Sequence, residues 1–269
     1  MNYDRTSPAW IKAKMDIKDL RFQKQWGQNF LIDGNVVENI LSALDLTPED
    51  TVVEIGPGLG ALSERLIERV EHLVAVEIDR QLAHELARDF PRIEVITGDI
   101  LKVDPTVFPR GAKVVGNLPY YITSAIIMHL LESAWDFDRL VIMMQKEVAE
   151  RISASPGSKD YGVLSVITQL YCEVDYLFSV SRSCYMPSPK VDSAVVRLWP
   201  KPERDRSIVP VVKAAFSSRR KTIQNSLRNV YSPDKVSRAL QRAGLEPTRR
   251  AETLSLGEFR QLAEAIDEA

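Results

Sequence analysis

The sequence predicts an α/β domain built on a mainly parallel, doubly wound sheet, followed by a small all-α C-terminal domain. Three observations carry that expectation. Short runs rich in Val and Ile alternate with helix-like stretches over residues 51–154, the pattern of parallel strands wrapped by helices. The first clear strand, 51–55, runs straight into a glycine turn, Gly56-Pro57-Gly58-Leu59-Gly60. From Ile208 to the end no strand-like run occurs. A chain of 269 residues holds one large domain and one small one. We place the boundary at 200, giving domains 1–200 and 201–269, with residues 1–25 as a flexible N-terminal arm poor in periodic apolar positions.

The elements follow in order. Gln28-Asn29-Phe30-Leu31-Ile32-Asp33 sets two amides beside an aromatic and a Leu, which suits a loop folded over a ligand; a helix-capping turn is the other reading. A helix follows from Asn35, with Val36, Val37, Ile40, Leu41 and Leu44 at amphipathic spacing. After the glycine turn come a helix (61–69), a strand (72–77), a helix (80–90) ended near Pro91, and a strand (93–97). A strand at 112–116, a helix at 122–132, a strand at 140–144 and a helix at 146–154 continue the alternation. A helix over 161–170 and strands over 174–180 and 191–199 precede a linker at 201–203.

Ligands of open parallel sheets lie at the carboxyl ends of the strands. Gly56, Glu77, Asp99 and Asn117 fall at the ends of successive strands in the sequence. The turn spacing is G-x-G-x-G, whereas the dinucleotide fingerprint is G-x-G-x-x-G. Glycine without a Cβ lets a ligand lie against the backbone. Glu77 ends its strand 21 residues beyond Gly56, where Rossmann-like sites keep an acid for ribose hydroxyls. A carboxylate accepts both hydrogen bonds of a vicinal diol. Asp99, in Gly98-Asp99-Ile100, can accept from the exocyclic amine of an adenine.

Asn117-Leu118-Pro119-Tyr120 resembles the N-P-P-Y form of amino-nitrogen methyltransferases; a β-turn without function is the other reading of the tetrapeptide alone. The lone pair of an aryl amine is delocalised and weakly nucleophilic. Accepting hydrogen bonds from its N–H groups, with the Asn117 side-chain oxygen and the Leu118 carbonyl, localises that pair. Pro119 stiffens the turn, and Tyr120 offers a π face to an extruded base. Cys184-Tyr185-Met186-Pro187-Ser188-Pro189-Lys190 reads as a stiff connection that holds Tyr185 in place.

Composition excludes several classes. At 45% hydrophobic and 27% charged the chain is ordinary for a soluble globular protein. No apolar run reaches transmembrane length and the first residues lack a signal-peptide core, so we expect a cytoplasmic protein. Cys172 and Cys184, and His72, His84 and His129, have neither metal-ligand spacing nor a triad-like context, so no metal is expected. Net charge is −2, yet residues 201–250 hold thirteen basic side chains against four acidic ones. Lys12, Lys14, Lys18, Arg21 and Lys24 add a second basic zone, and a polyanionic partner fits both. Solvated helix faces are the other reading of these charges. No self-complementary apolar stripe is evident, and a monomer is expected.

Taken together these stretches resemble the ribosomal RNA adenine dimethyltransferase family, in its small-subunit (16S rRNA) branch. The matching residues are Gly27-Gln28-Asn29-Phe30-Leu31, Glu54-Ile55-Gly56-Pro57-Gly58-Leu59-Gly60, Glu77-Ile78-Asp79, Gly98-Asp99-Ile100, Asn117-Leu118-Pro119-Tyr120 and Pro187-Ser188-Pro189-Lys190-Val191-Asp192-Ser193. In the second domain Phe216-Ser217-Ser218-Arg219-Arg220-Lys221-Thr222 resembles the branch's F-x-x-R-R-K-T signature. The resemblance implies a Rossmann-like class I methyltransferase domain that uses S-adenosylmethionine (SAM) and releases S-adenosylhomocysteine. It implies SAM contacts from Gln28, Asn29 and Leu31, from Gly56 and Gly58 on the methionine side, and from Glu77 with Ile78 at the ribose. Asp99 with Ile100 would take the cofactor adenine, and Asn117 the reactive end and the target amine. Tyr120 and Tyr185 would sandwich the target adenine; the family often has Phe at the second position. Two adjacent adenines of a 16S rRNA hairpin would each become N6,N6-dimethyladenosine, with Arg219, Arg220 and Lys221 on the RNA. A large-subunit relative conferring macrolide resistance and an RNA- or DNA-binding assembly or transcription factor are the alternatives. The Arg-Arg-Lys-Thr stretch speaks against the first, and the complete catalytic motifs against the second.

Overall fold

The structure, a computed structural model, describes residues 4–17, 28–133, 135–202, 206–218 and 220–269. Gly27, Arg219 and residues 18–25 of the expected arm lie outside these. The chain divides into two compact units: Met1–Ala149 with Asp175–Pro200, and Glu150–Val174 with Lys201–Ala269.

The first unit is organised by strands. In chain order these are β1 (Phe30–Leu31), β2 (Thr51–Ile55), β3 (His72–Glu77), β4 (Glu94–Thr97), β5 (Ala112–Asn117), β6 (Phe137–Gln145), β7 (Cys172–Val180), β8 (Tyr185–Met186) and β9 (Ser193–Pro200). Seven form one sheet in the order β4-β3-β2-β5-β6-β9-β7, and β1 with β8 forms a separate two-stranded piece. The pairs β3–β4, β2–β3, β2–β5 and β5–β6 are parallel, and β6–β9 is antiparallel. This is the doubly wound, mainly parallel sheet that the alternating runs predict. Strands covered on both faces read as continuous apolar runs, and Val52, Val53, Ala75, Val114, Val115 and Val141 are all fully buried.

The helices of this unit are α1 (Pro8–Ile17), α2 (Gly34–Leu44), α3 (Ser63–Leu66), α4 (Arg80–Asp89) and α5 (Thr123–Glu132). α6 (Lys146–Ile152) follows β6 and contains the division between units. Asp33 caps α2 by accepting from the N–H groups of Asn35 and Val36, and its buried Val37, Ile40, Leu41 and Leu44 are the predicted apolar face. Gly116 is required by crowding: a Cβ there would lie 2.6 Å from the Ile55 carbonyl oxygen on β2.

Three expectations are corrected. Residues 4–17 are not a loose arm. α1 buries Ile11 and Met15, an i,i+4 pair, against Phe30, Leu59 and Leu82, and burying two such side chains contributes roughly 3–6 kcal/mol. The helix expected over 61–69 is only four residues long, flanked by i→i+3 turns such as Arg65 N–H to Leu62 and Arg69 N–H to Leu66. The third correction is the boundary at 200. Residues 150–174 belong with the C-terminal helices, because α7 (Val163–Tyr171) packs on α8 (Ile208–Ala215) and α11 (Leu256–Glu268).

The second unit is helical as expected. Between α8 and α11 lie α9 (Ile223–Leu227) and α10 (Pro233–Arg242). Thr222, Ser232 and Ser255 cap α9, α10 and α11, the last through a Ser-x-x-Glu box with Glu258. α7 is buried almost all round, and α11 buries Phe259, Leu262, Ala263 and Ile266.

Candidate active site

One pocket gathers nearly every residue singled out in the first unit. Its wall includes Gln28, Asn29 and Leu31, Gly56 and Gly58, Glu77 and Ile78, Asp99 and Ile100, and the run Asn117–Tyr120. The four strands concerned, β4, β3, β2 and β5, are adjacent in the sheet and parallel. Their carboxyl ends therefore meet along one edge, and the pocket lies there.

The glycine turn closes one side. Gly56, Gly58 and Gly60 all have positive φ, at 70°, 59° and 85°, a region that side-chain-bearing residues rarely adopt. A Cβ on Gly58 would come within 3.1 Å of the Phe30 ring and would press it back by a few tenths of an ångström, so a side chain there is disfavoured by crowding as well as by φ. Glu77 anchors the turn. Its Oε2 accepts from Gly58 N–H at 3.0 Å and its Oε1 from Asp79 N–H at 2.9 Å. Burial pushes its carboxyl above the usual range, against the pull of these two donors. Asp79 caps α4 with one oxygen, accepting from Gln81 and Leu82, and accepts from Gln28 Nε2 at 3.2 Å with the other. Asp99 accepts from Leu101 N–H at 3.0 Å.

Asn117 has one well-defined orientation. Its Nδ2 donates to the Asn29 carbonyl at 3.0 Å, which leaves Oδ1 as an acceptor on the amide. Leu118 N–H is tied to Met143 O on β6, and the Pro119 carbonyl accepts from Ile122 N–H and the Thr123 hydroxyl. The Tyr120 hydroxyl is 2.5 Å from that of Ser193 on β9, so its ring is held at the tip.

Tyr185 is placed differently from the expected stacking partner. It is 2% exposed, absent from the pocket wall, and part of the core with Leu31, Val180 and Val195. The cause is the pairing of β1 with β8, which sets Tyr185 opposite Leu31. Its hydroxyl is buried against those of Tyr120 and Ser193, and burial pushes its pKa strongly upward.

Sequence reasoning gave no role to Glu54, Ser63, Ser193 or Arg5. Glu54 lines the pocket, is 1% exposed and accepts from the Ser63 hydroxyl at 2.5 Å. Burial, opposed by Ser63 and helped by the charge of Glu77, raises its pKa to about 7. Its place two residues before Gly56, an acid inside an otherwise apolar strand, was the available signal. In the second unit Arg220 and Lys221 are exposed just before the Thr222 cap of α9. Among the described residues no group of three His, Cys, Asp or Glu side chains could hold a metal, and no helix is long and apolar enough to cross a membrane.

The residues fit SAM. Positive-φ glycines open the backbone on one side, apolar Ile78 and Ile100 flank two acids, and buried carboxyls suit a cationic ligand. A mainly parallel seven-stranded sheet with this pocket at its strand ends is the class I SAM-dependent methyltransferase fold. Comparison with known proteins narrows the class. The family described as "Ribosomal RNA adenine dimethylase" matches residues 19–268. Proteins called ribosomal RNA small subunit methyltransferase A from Clostridium perfringens and Streptococcus pneumoniae are each 43% identical to this chain. The first alignment covers 96% of this chain and 95% of the relative, and the second 95% of both. A crystal structure of a dimethyladenosine transferase from Plasmodium falciparum superposes with a TM-score of 0.77 at 26% identity, covering 89% of this chain and 98% of that one. That of the 23S rRNA methyltransferase ErmE gives 0.66 at 31% identity, covering 89% and 100%. The chain belongs to the ribosomal RNA adenine dimethylase family.

Proposed function

We propose that the protein transfers methyl groups from SAM to the N6 amines of two adjacent adenines in a 16S rRNA hairpin of the small ribosomal subunit. The product is N6,N6-dimethyladenosine at both, and the protein acts as a cytoplasmic monomer with a part in subunit biogenesis. The observation that carries this reading is the Asn117 amide, turned by the Asn29 carbonyl so that its oxygen remains an acceptor in the same pocket as Glu77 and Asp99. The names of the 43% identical relatives support the small subunit over the large one.

SAM, when bound, supplies an electrophilic methyl group and leaves as the thioether S-adenosylhomocysteine. Glu77 and Ile78 would hold its ribose, Asp99 and Ile100 its adenine, and the glycine turn with Gln28, Asn29 and Leu31 its methionine end. Asn117 Oδ1 and the Leu118 carbonyl accept from the target N6–H groups and localise the nitrogen lone pair. No strong base is required, because the amine becomes acidic as the new C–N bond forms and its proton passes to water. Tyr120, fixed through Ser193, presents a face to the extruded adenine. Tyr185 lies behind this site and acts by packing. Arg220 and Lys221, with Arg219, would hold rRNA through its phosphates, which orients the target without reading bases.

Radiolabelled methyl transfer from SAM to small subunits lacking adenine dimethylation, run beside large subunits, tests the reading. Label confined to two dimethyladenosines of the small subunit is expected. Label on the large subunit would move the protein to the resistance branch, and binding of SAM with no transfer to either would favour the assembly-factor reading.

A further inference from the structure

We propose that Arg5 is a positioning residue of the SAM site, and that α1 is the element that delivers it. The inference rests on the SAM reading of the pocket. Arg5 lines the pocket wall, and its Nη1 donates to the Leu59 carbonyl, inside the glycine turn, at 2.7 Å. The guanidinium is held from outside the pocket. Its Nη2 donates to Asp89 Oδ2 at 2.9 Å, its Nε lies 3.8 Å from Glu64 Oε1, and its carbon sits 4.2 Å from the Phe90 ring centroid and 4.9 Å from that of Trp10. Only 11% of the side chain is exposed.

Each of these partners lies on an element that frames the turn. Glu64 belongs to α3, directly after it. Asp89 and Phe90 end α4, whose Leu82 packs with Leu59 of the turn and with Ile11, Met15 and Phe30. Lys14 fastens α1 to the same α4 end, 2.7 Å from Asp89 and 3.0 Å from Glu85. Partial burial pushes the Asp89 carboxyl up, and hydrogen bonds from Lys14, Arg5 and Arg88 outweigh it and bring it down to about 2. Gly60 lies under the same group, since a Cβ there would meet Arg5 Nη1 at 3.4 Å. Arg5 therefore clamps the Leu59 carbonyl in the second half of a turn whose glycines all have positive φ, beside the backbone bonds of Gly60 to Pro57 and Glu64. A turn held in its binding form before the ligand arrives loses less freedom on binding.

The test uses the full chain. Calorimetric titration with S-adenosylhomocysteine compares wild type, Arg5→Met, Arg5→Lys and Asp89→Asn, with thermal melts of the ligand-free proteins alongside. For Arg5→Met we expect Kd to rise roughly tenfold, the worth of one charge-assisted hydrogen bond. Asp89→Asn, whose side chain is outside the pocket wall, should shift Kd in the same direction by less, and Arg5→Lys should recover part of the loss. With small subunits as acceptor, KM for SAM should rise while kcat at saturating SAM is kept. Wild-type Kd in both Arg5→Met and Asp89→Asn, with only the melts lowered, would overturn the proposal. Should Arg5→Met fail to fold, Arg5→Lys and Asp89→Asn decide by the same measure. Failure of the wild type to bind S-adenosylhomocysteine would instead remove the SAM reading itself, and the inference with it.

Discussion

Glu54 and Glu77 put two carboxyl groups in one buried pocket, and this makes the ligand-free enzyme sensitive to pH. The folded pKa of Glu54, about 7, is above the value near 4.5 of an exposed Glu. Below the lower value both folded and unfolded chains hold the proton and nothing is lost. Between the two the unfolded chain ionises first, so stability falls as pH rises, and above about 7 the loss is complete. Glu54→Gln keeps the acceptor for Ser63 and removes the charge. Its unfolding midpoint should match wild type near pH 4.5 and exceed it at pH 8, by a stabilisation on the order of 3 kcal/mol. Equal midpoints at pH 8 would show that Glu54 is solvated or paired. Tyr185 offers a second residue-scale test. Its hydroxyl is buried against those of Tyr120 and Ser193, with no strong hydrogen bond to lose, so Tyr185→Phe should change stability by no more than about 1 kcal/mol. Methyl transfer should persist, since the ring packs in the core. Phe leaves a stacking ring in place, so Tyr185→Leu separates the two roles: packing predicts a lowered melt with transfer retained by the folded protein, and a large loss of transfer at an unchanged melt would return Tyr185 to the stacking role that the sequence suggested.

At the scale of elements, β2 and β5 approach so closely at Gly116 that the register of the site depends on it. Gly116→Ala should destabilise the protein by roughly 1–3 kcal/mol or more and weaken SAM binding; thermal melts with and without SAM would read both, and an unchanged melt would contradict the crowding. The elements bearing Gly56, Glu77, Asp99 and Asn117 were legible because buried parallel strands write themselves as Val- and Ile-rich runs with polar residues at their ends. Other elements left weaker marks. β1 and β8 are two residues each, too short to show a period, so the pairing of Tyr185 with Leu31 left no mark in the chain's pattern. α1 shows one apolar pair, Ile11 and Met15, in a basic stretch, and its Ser7-Pro8 start was the missed signal. α7 is apolar on almost every side, so its sequence does not say which unit it completes.

At the scale of the whole molecule, the pocket and the longer of the two basic stretches occupy different parts of the chain. The pocket belongs to the sheet unit, and the basic 201–250 stretch to the helical one. Affinity for rRNA that comes from phosphate contacts should fall steeply with salt. Arg220→Ala and Lys221→Ala should each weaken binding and flatten the slope of log affinity against log salt by about one. Slopes equal to wild type would place the RNA on another face. The central claim is that this pocket performs amine methylation through the oriented Asn117 amide. The most direct test is the initial rate of methyl transfer from saturating SAM to undermethylated small subunits, for wild type and Asn117→Ala. The account predicts a fall of roughly a hundredfold or more, as when one preorganised polar contact is removed from a transition state. Transfer by Asn117→Ala at the wild-type rate would contradict it.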